Sequence, residues 1–285
     1  MTVLGTRGSA LALAQARIVE RALGVPMEMR IVRTTGDASD RPITELGDGA
    51  FVTAIEDALR RGEIDVAVHS LKDLPTGERP GLAIAAILAR EDVRDVLITH
   101  DRGGVSSLRP GAAVGTSSPR RDAFLRALVP GLTTRPIRGN VDTRLRKVRD
   151  GEYDGAVLAL AGLRRLGIDV QEHEILEPAA CPPAPGQGAL AVQCRADDAP
   201  TIGRVAPLDD PPTRAAVTAE RVVLEELGAS CEIPLGAWAR VERGEIVLDA
   251  VLATESGLVR ARERGTHPEE LGRRVAALLG ARAHA

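Results

Sequence analysis

The stretch DVAVHSLKDLP, residues 65–75, places a lysine beside an aspartate directly after an apolar run. The pair, Lys72 and Asp73, is unusual because the chain has only two lysines, Lys72 and Lys147, among its 37 basic residues. A lysine ammonium is a compact charge on a flexible stem, unlike the planar guanidinium of arginine. A carboxylate in a cationic pocket would stabilise a positive charge that develops during a reaction. From these residues alone, a solvent-exposed ion pair is the competing interpretation.

Three loops rich in arginine and small residues are predicted to precede helices. They are RGS (residues 7–9), GTSSPRR (115–121) and RGN (138–140), and Arg144 follows the third loop within its helix. A helix N-terminus carries free N–H groups and a partial positive charge, so arginines there are unfavourable unless an anion is present. A chain with many arginines could contain one such loop by chance. Three loops of the same kind indicate a ligand with several separated carboxylates or phosphates.

Motifs and composition disfavour other classes of site and partner. No GxxxxGK[ST] or GxGxxG motif accompanies the loops. The five histidines and three cysteines have no metal-ligand or CxxC spacing, so we predict no metal site and a reducing cytoplasm. The net charge is −3 and aromatic residues make up 1%, which disfavours binding to nucleic acid or to an anionic membrane. No apolar run approaches ~20 residues, so no transmembrane helix is expected.

Hydrophobic periodicity indicates which elements position these residues. Helices are predicted over 10–23, 50–60, 119–128, 141–151 and 213–227, and strands over 27–33, 64–68, 95–100, 112–115, 155–162 and 189–195. Ser118 and Pro119 are the predicted N-cap and first residue of the third helix. Ligands gather at the carboxyl ends of parallel strands, so Lys72 and Asp73 should face the same cleft as the basic loops.

The order of these elements predicts an α/β fold with more than one domain. Strands that alternate with helices indicate mostly parallel sheets with right-handed crossovers, and the pattern starts again near residue 94. After Cys231 it changes to strands joined by short turns, followed by a helix that begins near Pro268. We therefore predict two α/β domains and a small α+β C-terminal domain, with a linker over 207–212.

The motifs HSLKDLP, GTSSPRR, RGNVDTRLRK, PGQGAL and SCEIPLG follow GTRGSALALAQA in this order. Their order and spacing resemble the porphobilinogen deaminase (hydroxymethylbilane synthase) family, from about Gly5 to Trp238 and more weakly beyond. The resemblance implies three domains, of which the first two are like periplasmic binding proteins. The implied spans are 1–88 with 189–206 for domain 1, 94–182 for domain 2 and 211–285 for domain 3, with hinges near 89–93, 183–188 and 207–210.

The resemblance also implies a transferase of tetrapyrrole and haem biosynthesis. Members of the family join four porphobilinogen molecules head to tail, release ammonia and yield the linear tetrapyrrole hydroxymethylbilane. The product grows on one covalently bound dipyrromethane cofactor per chain, held by a cysteine thioether, and SCEIPLG places that cysteine at Cys231. A cytoplasmic monomer with a small-molecule substrate, and with no nucleic-acid or membrane partner, is expected.

Site residues carry over from the family by motif. Asp73 is expected to hydrogen-bond the pyrrole N–H and to stabilise the azafulvene cation that forms when the amine of the substrate leaves. Lys72 would act beside it by binding acetate or propionate carboxylates. The expected cofactor-binding residues are Cys231, Lys72, Asp73, Ser118, Arg120, Arg121, Gly139 and Arg144. The expected substrate-binding residues are Arg7, Ser9, Gln15, Phe51, Thr116, Ser117, Arg138, Asn140 and Gln187.

One departure concerns a loop that commonly carries lysines in the family. Here LGDGAFVTAIE, residues 46–56, keeps Phe51 but has Asp48 and Ala54 where lysines are frequent. Closure of this loop over anions is therefore not expected to follow the family pattern.

The competing hypothesis for function is a non-catalytic anion-binding solute receptor with the same two-domain architecture. Such a receptor predicts a secretion signal, and it would have no use for Cys231 or for the Lys72–Asp73 pair.

Overall fold

The strands of the chain form three separate sheets in a computed structural model that describes residues 1–34, 49, 52–171, 173–228 and 233–283. Within these residues, the first and second sheets have five strands each and the third has three. Two predicted site residues, Phe51 and Cys231, lie outside the described residues, as does most of the loop over 46–52.

The first sheet consists of β1 (Val3–Thr6), β2 (Glu28–Ile31), β3 (Val66–Ser70), β4 (Leu82–Ile87) and β10 (Leu190–Arg195). Its strand order is β2-β1-β3-β10-β4. Strand β1 pairs in parallel with β2 and β3, whereas β10 pairs antiparallel with β3 and β4. On one face Leu4, Val66 and Val192 pack against Ala16 and Val19 of the first helix, which gives this sheet its own aliphatic core.

The second sheet repeats this arrangement with β5 (Asp95–Thr99), β6 (Ala113–Gly115), β7 (Thr133–Arg135), β8 (Gly155–Ala159) and β9 (Glu174–Leu176). Its strand order is β7-β6-β8-β5-β9. Strand β6 pairs in parallel with β7 and β8, whereas β5 pairs antiparallel with β8 and β9. The prediction of mostly parallel sheets is therefore wrong, because half of the strand pairs in each sheet are antiparallel. The antiparallel strands, β5 and β10, are those reached when the chain crosses from one sheet to the other.

The helices beside these two sheets are α1 (Ala10–Leu23), α2 (Thr53–Arg60), α3 (Pro119–Leu128), α4 (Val141–Arg149), α5 (Leu160–Arg165) and α6 (Ala199–Val205). Helix α1 begins after Ser9, whose Oγ accepts a hydrogen bond from Ala12 N, and ends at Gly24 with φ 66°. Helix α3 has Ser118 as N-cap and Pro119 first, as predicted. The predicted strand over 155–162 is wrong beyond Ala159, where α5 begins.

The third sheet is an antiparallel meander of β11 (Leu235–Glu242), β12 (Glu245–Thr254) and β13 (Gly257–Gly265). Two helices, α7 (Pro211–Glu226) and α8 (Pro268–Ala283), pack on it through a core that includes Val223, Leu248 and Leu271. This confirms the small α+β domain. The predicted linker over 207–212 is shorter than expected, because α7 already begins at Pro211 with Asp210 as its N-cap.

Arg90 fixes the first crossing segment against α7. Its Nη1 lies 2.6 Å from Glu220 Oε1, and its Nε donates to the backbone oxygen of Gln187 at 2.8 Å. Glu220 is fully buried and also accepts hydrogen bonds from the backbone nitrogens of Gly186 and Ala239. The segments that join the two larger sheets are thus held by the third unit. The α/β and α+β architecture is confirmed, and the exact domain boundaries remain predictions.

Candidate functional site

A cavity of about 640 Å³ lies between the first and second sheets. On the first-sheet side it is bounded by the loop before α1, the segment after β2 and the 3₁₀ turn Leu71–Asp73 that follows β3. On the other side it is bounded by the end of β8 and by the loop and first turn of α4. The cavity therefore lies where several strands end, as predicted, and its volume is typical of a small-molecule site.

Predicted site residues fall into three groups in the structure. Nine line the cavity: Arg7, Ser9, Lys72, Asp73, Arg121, Arg138, Gly139, Asn140 and Arg144. Six lie outside its lining: Gln15, Thr116, Ser117, Ser118, Arg120 and Gln187. The other two, Phe51 and Cys231, are not among the described residues.

Positive charge dominates the lining of the cavity. The cationic lining residues are Arg7, Arg33, Lys72, Arg121, Arg138 and Arg144. Only two carboxylates, Asp73 and Asp142, belong to the described lining. This imbalance favours a ligand that carries more than one negative charge.

The RGN loop presents the start of α4 to the cavity. Asn140 is the N-cap, but its side chain makes no capping hydrogen bond, so it does not satisfy the first N–H groups of the helix. Gly139 has φ 106°, and a Cβ there would lie 2.6 Å from Thr143 Cγ2, which explains the glycine. Arg144 Nε donates to Gly139 O at 2.8 Å. Burial, together with Arg121 and Arg138, lowers the pKa of Arg144 to about 10.

The hydroxyls of the GTSSPRR loop have partners within the protein. Ser118 Oγ accepts a hydrogen bond from Arg121 N, and Thr116 Oγ1 accepts one from Ser118 N at 3.2 Å. Ser117 Oγ donates to Ile137 O at 3.0 Å and accepts from Ile137 N at 3.2 Å, which joins this loop to the RGN loop. The three residues thus hold the two loops in place without lining the cavity. Their contacts with a ligand remain predictions.

Arg120 and Arg121 share one internal anion, Asp95. Arg120 Nη2 lies 2.6 Å from Asp95 Oδ2, and Arg121 Nη2 lies 2.7 Å from Asp95 Oδ1. Asp95 is fully buried; burial raises its pKa, but the two guanidiniums outweigh burial and hold the pKa well below its usual range. The inference that these arginines require an external anion is therefore wrong, because Asp95 supplies one. Arg121 nevertheless lines the cavity, whereas Arg120 does not.

Lys72 and Asp73 lie side by side in the 3₁₀ turn that follows β3. Asp73 is exposed towards the cavity, and Lys72 is partly buried. Lys72 Nζ donates a hydrogen bond to Gln187 Oε1 at 3.0 Å, so a solvent-exposed ion pair does not describe this lysine. Burial and Arg121 lower the pKa of Lys72 to about 8, while Asp73 and Asp95 raise it.

Gln15 and Gln187 are buried behind this turn. Gln15 Nε2 donates to Ser70 Oγ at 2.9 Å, which joins α1 to the end of β3 directly before the turn. Gln187 is fully buried and is bonded to Lys72. Contacts of both amides with a substrate remain predictions, since the structure gives each of them a partner within the protein.

Arg33 and the apolar part of the lining were not predicted from the sequence. Arg33 follows β2 and lies at the carboxyl end of the strand predicted over 27–33. Because ligands gather at the carboxyl ends of parallel strands, this position was the signal that indicated Arg33. Leu11, Leu158 and Leu166 line the cavity. Ile31 lines it too, and 57% of the surface of this residue is exposed. These side chains add apolar surface to the cationic lining.

The lining residues fit an anion with an apolar body. Arg138 Nη2 is buried without a hydrogen-bond partner among the described residues, which is costly unless a ligand supplies an acceptor. A ligand that carries carboxylates on apolar rings would satisfy this donor and cover the aliphatic lining.

Comparison with known proteins decides the family. A model of the "Porphobilinogen deaminase, dipyromethane cofactor binding domain" matches residues 2–202, and one of the "Porphobilinogen deaminase, C-terminal domain" matches residues 214–281. The chain belongs to the porphobilinogen deaminase family. The predictions of a tetrapyrrole-forming transferase and of a dipyrromethane cofactor are confirmed at the level of this family. Dipyrromethane, two pyrrole rings with carboxylate side chains, is the kind of ligand that the cavity fits.

Two relatives of similar length agree with this assignment. Porphobilinogen deaminase from Mycolicibacterium paratuberculosis is 49% identical, over 98% of this chain and 94% of that protein. Porphobilinogen deaminase from Roseiflexus is 46% identical, over 95% of this chain and 92% of that protein. Among solved structures, the methionine-binding protein MetQ is similar over 73% of this chain and 89% of that chain, with 13% identity and a TM-score of 0.46.

The described residues contain no group of three or more His, Cys, Asp or Glu side chains that could hold a metal ion. In the same part of the chain, every helix is too short or too polar to span a lipid bilayer.

Proposed function

We propose that the chain joins four porphobilinogen molecules into hydroxymethylbilane and releases one ammonia for each molecule added. The observation that supports this most directly is the Lys72–Asp73 turn, which opens into a cavity lined by six cations. Each porphobilinogen carries two carboxylates, so substrate and growing product are polyanions. A cluster of cations with one exposed carboxylate among them matches this chemistry.

Asp73 is the proposed catalytic residue. Its carboxylate is exposed towards the cavity. The turn that carries it follows β3 directly and is closed by a hydrogen bond from Leu74 N to Leu71 O. A negative charge there stabilises the cation that forms on the substrate as its amine leaves. The same carboxylate accepts a hydrogen bond from a pyrrole N–H and can assist proton transfer at the leaving amine.

The surrounding cations bind the carboxylates of the ligand, whereas Asp73 interacts with the reacting atoms. Lys72, Arg138 and Arg144 line the cavity from both of the larger sheets, so one bound molecule can be held from two sides. The uncapped start of α4 adds N–H donors at the same wall. We assign acetate and propionate recognition to these groups.

Cys231 is the proposed attachment point of the cofactor, by the SCEIPLG motif. When bound, dipyrromethane supplies the nucleophilic pyrrole to which the first substrate is joined. The proposed ligands of its carboxylates are Lys72, Arg121 and Arg144, which line the cavity. Ser118 and Arg120 would act only indirectly, by holding the GTSSPRR loop in place.

The intact mass of the purified protein tests the proposal. We expect an excess over the sequence mass equal to one dipyrromethane, located on the peptide that contains Cys231, and turnover of porphobilinogen to hydroxymethylbilane. A folded chain that carries no excess mass and forms no product contradicts the proposal and supports the receptor hypothesis instead. Cys231→Ser serves as the control, because it removes only the attachment atom.

The remaining assignments concern the state of the protein in the cell. We propose a cytoplasmic monomer, as the family resemblance and the cysteine spacing imply. The net charge of −3 and the 1% aromatic content support the proposal that it binds neither nucleic acid nor membranes. Light scattering of the purified protein at two concentrations tests whether it is monomeric. A mass of twice 30.0 kDa contradicts it.

A further inference from the structure

The side-chain amide of Gln187 connects two charged groups that belong to different sheets. Its Oε1 accepts a hydrogen bond from Lys72 Nζ at 3.0 Å. Its Nε2 donates to Val93 O at 2.7 Å and to Asp95 Oδ1 at 2.9 Å. Gln187 and Asp95 are both fully buried, so water does not replace these contacts. Each hydrogen of the amide therefore has an acceptor within the protein.

These contacts determine which end of the amide faces Lys72. If the amide were flipped, its NH₂ group would point at the ammonium, and its oxygen would point at Asp95 Oδ1 and Val93 O. All three contacts would then be between like groups. The carboxylate of Asp95 thus orients the amide so that its oxygen is available to Lys72.

Asp95 also accepts hydrogen bonds from two arginines. Arg121 Nη2 and Arg120 Nη2 lie 2.7 Å and 2.6 Å from its two oxygens. A continuous series of contacts therefore runs from Arg121 through Asp95 and Gln187 to Lys72. It begins at one wall of the cavity, passes through the buried segment before β10, and ends at the opposite wall.

We propose that Gln187 and Asp95 are positioning residues, which hold the Lys72 ammonium at the cavity wall where it binds carboxylates. This inference rests on the proposed function, which assigns carboxylate binding to Lys72. It replaces direct substrate contact as the role of Gln187, and it gives Asp95, which the motifs did not single out, a role in the site.

The charges around Lys72 make this support measurable. Burial, Arg121 and Arg120 lower the pKa of Lys72, while Asp73 in the same turn and Asp95 behind Gln187 raise it, and the result is a pKa of about 8. A hydrogen bond from an ammonium to a neutral acceptor stabilises the charged form. Loss of the Gln187 oxygen should therefore lower the pKa of Lys72 further.

The small number of lysines allows a direct test. With lysine labelled at the ε-carbon, NMR of the purified protein should show only two side-chain signals, from Lys72 and Lys147, and Lys147 serves as the internal reference. In Gln187→Met we expect the titration midpoint of Lys72 to fall by about one pH unit, the size expected for loss of one charge-assisted hydrogen bond. Variants are compared at equal cofactor content, measured by intact mass.

A matched control comes from Gln193, a buried glutamine on β10 whose Nε2 donates to Glu56 Oε1 at 3.1 Å. Gln193→Met removes a buried amide of the same kind away from Lys72 and should leave the Lys72 midpoint unchanged. If Gln187→Met does not fold, Gln187→Asn replaces it, because its shorter side chain keeps an amide but withdraws the oxygen by about 1.5 Å.

The enzymatic readout is the pH dependence of KM. Gln187→Met should raise KM for porphobilinogen more at pH 8 than at pH 7, because more of its Lys72 is neutral at the higher pH. A purely structural role would raise KM equally at both pH values and leave the midpoint in place. An unchanged Lys72 midpoint in folded Gln187 variants overturns this inference even when the unaltered chain makes hydroxymethylbilane. Absence of product and cofactor overturns the proposed function whatever the NMR result.

Discussion

Arg121 and Asp95 form a buried ion pair with two hydrogen bonds, from Nη2 to Oδ1 at 2.7 Å and from Nε to Oδ2 at 3.2 Å. Arg121 Nη1 also donates to Val157 O at 3.0 Å. The guanidinium is thus fixed by the protein on several sides while it still lines the cavity. It acts as a preorganised positive charge, so less free energy is lost in reorganising it during a reaction than for a mobile side chain.

Asp95→Asn should be strongly destabilising. It leaves Arg120 and Arg121 buried without their counter-ion, a change that typically costs about 3–5 kcal/mol in the free energy of unfolding. The pKa of Asp95 is depressed in the folded state, so its stabilising effect is complete above the unfolded pKa of about 3.9 and is lost as the pH falls below that value. Urea unfolding should therefore show a large difference from the unaltered chain at pH 7 that shrinks below about pH 4.

The control for this prediction is Asp122→Asn in α3, the helix that carries Arg120 and Arg121. Asp122 pairs with Arg126 at 2.7 Å, but its side chain is 37% exposed, so the loss should stay below about 1 kcal/mol. Equal losses in the two variants would show that the Asp95 pairs contribute no more than a surface pair.

Asp73→Ala should reduce turnover of porphobilinogen by about 10²–10³-fold, the effect expected when one preorganised electrostatic partner of a transition state is removed. Asp73 is exposed, so the thermal unfolding midpoint should not fall. Turnover is measured from product formation under substrate saturation. Asp57→Ala, which removes an exposed carboxylate paired with Arg60 at 3.1 Å on α2, should retain full turnover. Normal activity of Asp73→Ala would remove this residue from the mechanism.

Arg138→Ala should weaken substrate binding without destabilising the fold. The change removes a charge-assisted hydrogen bond to a carboxylate, for which about 1.5–3 kcal/mol, or roughly 10–100-fold in KM, is expected. It also removes a buried Nη2 that has no partner among the described residues, so the unfolding midpoint should stay constant or rise. Arg149→Ala at the C-terminal end of α4, where the arginine pairs with Asp150 at 3.4 Å, should change neither quantity. A drop in stability with unchanged KM would assign Arg138 to the fold instead.

Gly139→Ala should distort the start of α4 and raise KM. A Cβ at this position would lie 2.6 Å from Thr143 Cγ2, and the φ of 106° is also unfavourable for alanine. Gly151→Ala is the matched control, since it has φ 77° just after the same helix but nothing within 4 Å of its Cβ. Both variants should lose about 1–3 kcal/mol of stability, and only Gly139→Ala should also raise KM. If both raise KM equally, general strain in α4 is responsible.

Local signals in the sequence predicted the elements that hold the site. Ser118 and Pro119 fixed the start of α3, and α1 spans Ala10–Leu23, as predicted. The position of Lys72 and Asp73 followed from the end of a buried strand, although that strand runs over Val66–Ser70, two residues later than predicted. These features depend on residues close in the chain, which is why periodicity and capping rules were sufficient.

Features that depend on distant residues were not predictable in this way. Nothing near Arg120 and Arg121 indicates that Asp95, 25 and 26 positions earlier, is their partner. The contact between Gln187 and Lys72 spans 115 positions. The antiparallel direction of β5 and β10 likewise depends on how the chain passes between sheets, which a single strand pattern does not contain.

The placement of β10 has a consequence for synthesis of the chain. Strand β4 belongs to the first sheet only through β10, because the order is β2-β1-β3-β10-β4. Residues 82–87 therefore have no neighbouring strand to join until residues 190–195 have left the ribosome, by which time the whole second sheet has been made. During translation the second sheet can close first, although its strands come later in the sequence. A nascent chain that stops before residue 190 would expose one edge of β3 and both edges of β4, which makes this interval the one most open to aggregation or chaperone binding.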